Sequence, residues 1–104
     1  MAGKVETYLG FCLRARKIVL GSGSVDAVKK GVYLIIVCST ASENTFKVAL
    51  KYKNRFSCPL LICKVGLADV LHTDVCKIAA VKDAELAKAI IANAGDEYEL
   101  YTER

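Results

Sequence analysis

Along this chain the spacing of apolar residues switches repeatedly between the helical period and short continuous runs. Val5, Leu9, Cys12 and Leu13 recur at helical spacing, so residues 4–15 read as an amphipathic helix. Ile18, Val19 and Leu20 form a short apolar run closed by Gly21, the pattern of a strand. Ser22 or Ser24 then offers an N-cap, Val25 and Val28 an apolar face, and Gly31 a stop. These predict a second helix of roughly two turns. Tyr33 to Cys38 is nearly continuous in apolar residues, as expected of a central strand covered on both faces.

Thr40 and Glu43 stand at capping-box spacing and open a helix in which Thr45, Ala49, Tyr52 and Phe56 share a face. Lys47, Lys51 and Lys53 fall largely elsewhere, with Lys51, Lys53 and Arg55 reading as a solvated face. Cys58 to Val65 reads as another buried strand, with Pro59 near its start, where a missing N–H is tolerated. Gly66, Leu67, Val70 and Leu71 suggest a short helix, and Ile78 to Val81 a fourth strand. Asp83 caps a last helix that turns Leu86, Ile90 and Ile91 inward and ends at Gly95. Strands alternating with helices imply an α/β fold: a three-layer α/β/α sandwich with a four-stranded mixed sheet. Residues 1–95 form the domain, and residues 96–104 an acidic tail in which Tyr98 and Tyr101 read as a frayed end.

Composition narrows the function classes. At 104 residues and 54% hydrophobic, the chain can build a core without metals or disulfides. No apolar stretch approaches the roughly 20 residues of a membrane span, and the start lacks a signal-peptide core, so a cytoplasmic location is expected. The five cysteines, Cys12, Cys38, Cys58, Cys63 and Cys76, contain no Cys-x-x-Cys pair, and His72 is the only histidine. Zinc needs four convergent ligands, so no metal or other cofactor is expected and the thiols read as small buried hydrophobes. No Ser/His/Asp or Cys/His constellation can be assembled, and no Gly-Lys-Ser/Thr follows the Gly21–Ser24 turn to make a Walker loop. The glycine-rich turn alone leaves a small nucleotide-binding enzyme as the remotest reading.

The net charge of +4 is uneven. Residues 1–94 carry 14 bases against 7 acids, whereas residues 95–104 carry four acids and one base. A basic body suits a polyanionic partner.

Several segments, in order, carry a family likeness. They are Leu9–Lys17 (LGFCLRARK), Gly21–Ser24 (GSGS), Ala27–Gly31 (AVKKG), Tyr33–Val37 (YLIIV), Ala41–Thr45 (ASENT), Cys58–Leu60 (CPL), Gly66–Leu67 and Ile78–Val81 (IAAV). The likeness they carry extends over residues 5–93, and the chain resembles the L-seven-Ae/L-thirty-e family of ribosomal proteins, especially its small bacterial members. The resemblance implies an α/β/α sandwich that binds kink-turn RNA without enzymatic activity. The implied partners are structured RNA, above all ribosomal RNA, and ribosomal proteins, with no membrane. The implied surface has two parts: the Gly21, Ser22, Gly23, Ser24 turn with the helix behind it, and a loop at about Thr73 to Cys76.

The physics of the first part agrees. Glycines allow close backbone approach, and a helix start presents unpaired N–H groups to phosphate. Ser22 and Ser24 add hydroxyls, Lys17, Lys29, Lys30 and Lys47 would neutralise phosphates, and Asn44 opens the neighbouring helix. In the second loop Thr73 and Val75 would meet extruded bases. Family members place a polar pair and a lysine in the first turn, where this chain has Ser22, Gly23 and Asp26. A protein-interaction module on the same fold is therefore the alternative reading. For Arg14, Arg16 and Lys17 the alternative to RNA contact is interaction with the end of the first helix.

Overall fold

A computed structural model describes residues 4–64, 77–95 and 98–101. Among these, four helices and five strands follow in the order α1 (Lys4–Arg14), β1 (Ile18–Leu20), α2 (Ser22–Ala27), β2 (Leu34–Cys38), α3 (Glu43–Phe56), β3 (Leu60–Cys63), β4 (Ile78–Val81), α4 (Ala84–Ala92) and β5 (Tyr98–Leu100). The strands form one sheet in the order β1-β4-β2-β3-β5. β2 and β3 run parallel, joined by the α3 crossover, and every other pairing is antiparallel. The short helix expected at Leu67–Leu71 and the loop residues Thr73 and Val75 lie outside the described residues.

Side chains alternate across the strands and feed two apolar clusters. Leu34, Ile36, Leu61, Ala79 and Val81 meet Val5, Leu9 and Cys12 of α1 and Ala87 and Ile90 of α4. Ile35, Val37, Leu60, Ile78 and Ala80 meet Val25 of α2 and Ala49 and Tyr52 of α3. All five residues of β2 are buried, which explains its unbroken apolar run: the strand has helices on both faces and strands on both edges.

The sheet has five strands where four were expected. The fifth comes from the acidic tail, read from the sequence as frayed. Tyr98, Glu99 and Leu100 pair with Cys63, Ile62 and Leu61. Tyr98 is buried beside α1 and α4, and the Tyr101 ring meets Phe46 edge-on at 5.8 Å. A buried strand such as β3 needs partners for its backbone groups on both edges, and three residues of tail supply the outer one.

Helix ends also differ from expectation. α2 is capped by Gly21 rather than by either serine and ends at Ala27, before Gly31. α3 is capped by Ser42, whose Oγ accepts from the Thr45 N–H at 3.2 Å, so Thr40 stands outside the helix. α4 begins as expected, with Asp83 Oδ1 accepting from the Leu86 N–H at 2.9 Å. α1 and α3 close with left-handed residues, Arg16 and Ser57. In each case the next N–H returns to a carbonyl five residues back, Lys17 to Cys12 and Cys58 to Lys53, a Schellman arrangement normally built on glycine. Among the described residues no helix is long and apolar enough to cross a membrane.

A candidate nucleic-acid interface

Strand direction decides which residues can share a surface. β1 and β2 point the same way and β4 runs between them in the opposite sense, with Leu20 beside Ala79 and Val37 beside Ile78. One end of the sheet therefore gathers the exit of β1, the entry of β4 and the exit of β2. Adjacent strands lie about 4.8 Å apart, so Gly21 and Val37, both level with Ile78, are separated by about 10 Å across β4. Helices α2 and α3 both start at this end.

Gly21 makes the first of these starts. Its φ of 87° and ψ of 147° lie in backbone territory that other residues enter only with strain. The Gly21 N–H donates to the Ile78 carbonyl at 2.9 Å, pinning the turn to β4. No side chain caps α2. A Cβ built on Gly21 or Gly23 meets nothing within 4 Å, and Gly23 and Ser24 are exposed. Among the described residues no element roofs the turn.

The second start is the stretch from Ser39 to Asn44, with Asn44 exposed and Lys47 one turn further along α3. Between the two starts stands Lys77, which neither periodicity nor motif singles out. Its Nζ donates to Thr40 Oγ1 at 2.8 Å, and the same hydroxyl lies 3.1 Å from Cys38 Sγ. The Lys77 carbonyl accepts from the Cys38 N–H at 2.8 Å, so the residue is tied to β2 by backbone as well as side chain. Only the β4–β2 pairing brings Lys77 to Thr40, 37 residues away in sequence.

Gly21, Gly23, Ser24, Asn44 and Lys47 are brought together at this end. Lys17, Lys29 and Lys30 are not. Lys17 precedes β1, its carbonyl accepting from the Lys82 N–H at 2.6 Å, and Lys29 and Lys30 follow α2, so all three lie at the opposite end. Asp26 faces away from the open turn. Its carboxylate pairs with Arg55 Nη1 at 3.1 Å near the end of α3, and its main-chain carbonyl accepts from Nη2 at 3.3 Å. Asp26 also bonds the Tyr52 hydroxyl, whose pKa is raised by burial first and by Asp26 second.

The electrostatics of the open end are mixed. Lys77 and Lys47 share it with the exposed Glu43, and Lys64 is paired with Glu99 at 3.2 Å. No protein-family model matches the chain, and no curated protein does. Its fold is similar to that of a solved protein of unknown function from Bacillus halodurans. That likeness has a TM-score of 0.73 at 24% identity and covers 88% of this chain and 96% of the other. At that identity it bears on the fold alone.

Two of the buried cysteines among the described residues have shifted thiols. Burial pushes the Cys12 thiol up to about 11, helped by the nearby Asp83 charge, and burial likewise pushes Cys58 up to about 11. A thiol so shifted stays protonated near neutral pH and is a poor nucleophile. Among the described residues no three His, Cys, Asp or Glu side chains converge.

Proposed function

We propose that this chain is a non-enzymatic RNA-binding protein of the L-seven-Ae/L-thirty-e type, ribosomal or ribosome-associated, that takes a sharply bent RNA on the end holding Gly21–Ser24, Ser39–Asn44 and Lys77. The observation that supports this reading best is the position of Lys77 beside Thr40, at the entry of β4, between the strand exits that lead into α2 and α3. A kinked RNA crowds its phosphates, and a narrow surface with one central cation, small residues and outward N–H groups is complementary to that crowding. α2 has only six residues, so its dipole is small and the backbone N–H groups and Lys77 carry the contact. Shape, more than base-edge reading, fits a turn built of serine and glycine, residue types too short to span a base pair. A ribosomal role would place the protein in the cytoplasm.

The test is a gel-shift titration of a kink-turn RNA against a straight duplex of equal length, across a salt series. Tighter binding of the bent RNA, falling steeply with salt, is expected. Equal affinity for the two would remove the shape-specific reading, and binding to neither would leave the protein-interaction alternative.

A further inference from the structure

The cations that the open end does not use collect at the other end of the sheet. The Lys17 carbonyl and the Lys82 N–H meet at 2.6 Å, and the Tyr33 N–H donates to the Val81 carbonyl at 2.9 Å. Lys17, Lys82 and Tyr33 thus sit in a row across three neighbouring strands. Arg14 and Arg16 lie at and just beyond the end of α1 on one side of the row, and Lys29 and Lys30 follow α2 on the other. Among the described residues the acids nearby are few. Asp83 caps α4, Asp26 is paired with Arg55, and Glu85 is exposed in the first turn of α4. Beside the row lies a cleft of about 210 Å³ walled by Tyr33, Pro59, Ala87 and Ile91, with Lys88 at its rim. Tyr33 is 47% exposed, a large fraction for a tyrosine at the mouth of an apolar cleft. On α1, Phe11 is 43% exposed and carries the Arg14 guanidinium 5.0 Å from its ring centre.

We infer that this end is a second nucleic-acid surface, and that its occupant is an unpaired RNA segment. Phosphates lie along Lys17, Lys82, Lys29 and Lys30, while one unstacked base enters the Tyr33 cleft. Interleaved cations and exposed aromatic rings are what single strands select, because every base has a stacking face and every linkage a charge. The cleft is smaller than the roughly 300–1,000 Å³ that drug-sized ligands occupy, which suits a single ring system. The protein would then hold two parts of one RNA, a bend at one end and a strand at the other. This second surface does not depend on the reading of the first.

Fluorescence anisotropy with a labelled oligouridine of about ten nucleotides tests it, since a single OB-type site spans ~4–16. The Lys17→Glu/Lys82→Glu double variant is expected to lower affinity at least about ten-fold. It should also flatten the log affinity–log salt slope by about 1.4, roughly 0.7 for each phosphate no longer neutralised. Tyr33→Ala should weaken binding roughly five- to hundred-fold while Tyr33→Phe retains it. Lys77→Glu should leave oligouridine binding unchanged. The inference is overturned by no binding by the parent protein, by affinities within about two-fold of the parent for all the far-end variants, or by an equal drop in Lys77→Glu. A polyglutamate peptide competing as well as the oligonucleotide at equal charge would also overturn it, by making the surface a general anion site.

Discussion

Lys77 Nζ and Thr40 Oγ1 meet at 2.8 Å, joining the entry of β4 to the loop that opens α3. Both groups are exposed, so the bond is worth little to stability, within roughly 0.5 kcal/mol for a surface substitution. Its consequence is positional: the hydroxyl holds an otherwise mobile ammonium group between two helix starts. Lys77→Glu should therefore weaken kink-turn RNA binding and reduce the salt slope by about 1, with an unchanged thermal melt. Thr40→Val, which frees the lysine without removing its charge, should have a smaller effect of the same sign. Titrations showing full affinity in Lys77→Glu would move the RNA off this end.

Reading the chain by period recovers most elements because burial and period coincide. β2 shows as an apolar run because both its faces are covered, and α4 shows because Asp83 marks its start. β5 was hidden for the opposite reason. Tyr98, Glu99 and Leu100 are too few and too polar to announce a strand, and only the open edge of β3 makes them one. The split of the lysines was equally invisible. Lys17, Lys29 and Lys30 are near Gly21 in sequence, yet the length and direction of β1 and α2 carry them to the other end, while antiparallel β4 returns Lys77 from far along the chain. Proximity in sequence stood in for proximity in space.

Two glycines, two positions apart, should respond with opposite signs. Gly21 has φ 87°, and nothing lies within 4 Å of a Cβ placed there, so the cost of Gly21→Ala is backbone strain, about 1–3 kcal/mol. Gly23 sits inside α2, also facing open space, where alanine lowers the entropy of the unfolded chain without strain. Gly23→Ala should stabilise by roughly 0.5–1 kcal/mol. Urea melts of both variants decide it; a destabilised Gly23→Ala would mean that the turn's packing is tighter than its geometry indicates.

Tyr98→Ala should cost about 3 kcal/mol, the low end of the range for deleting a buried aromatic ring. Tyr98 is 7% exposed, and its cluster partners include Val5, Leu9 and Ile90. Glu99→Ala, on the exposed side of the same strand, should cost well under 1 kcal/mol, since its partner Lys64 is itself half exposed. Equal, small effects at both positions by urea denaturation would return the tail to the frayed state that its composition suggests.

Alkaline pH should destabilise the fold through its buried thiols. Burial, with Asp83 adding to it, raises Cys12 from 9.0 to about 11, and burial raises Cys58 from 9.0 to about 11. An unfolded chain loses these protons near pH 9 while the native state keeps them, so the native state binds more protons across the window from 9 to about 11. Stability is accordingly full below pH 9 and declines as pH rises through that window. Tyr52, raised by burial and then by Asp26, acts in the same direction. Cys58→Ala removes one titrating thiol, so its stability should fall less steeply than the parent's between about pH 8 and 10.5, whatever the constant offset from poorer packing. Urea midpoints measured across that range in both proteins provide the comparison, and parallel curves would show that Cys58 ionises as readily in the folded chain as in the unfolded one.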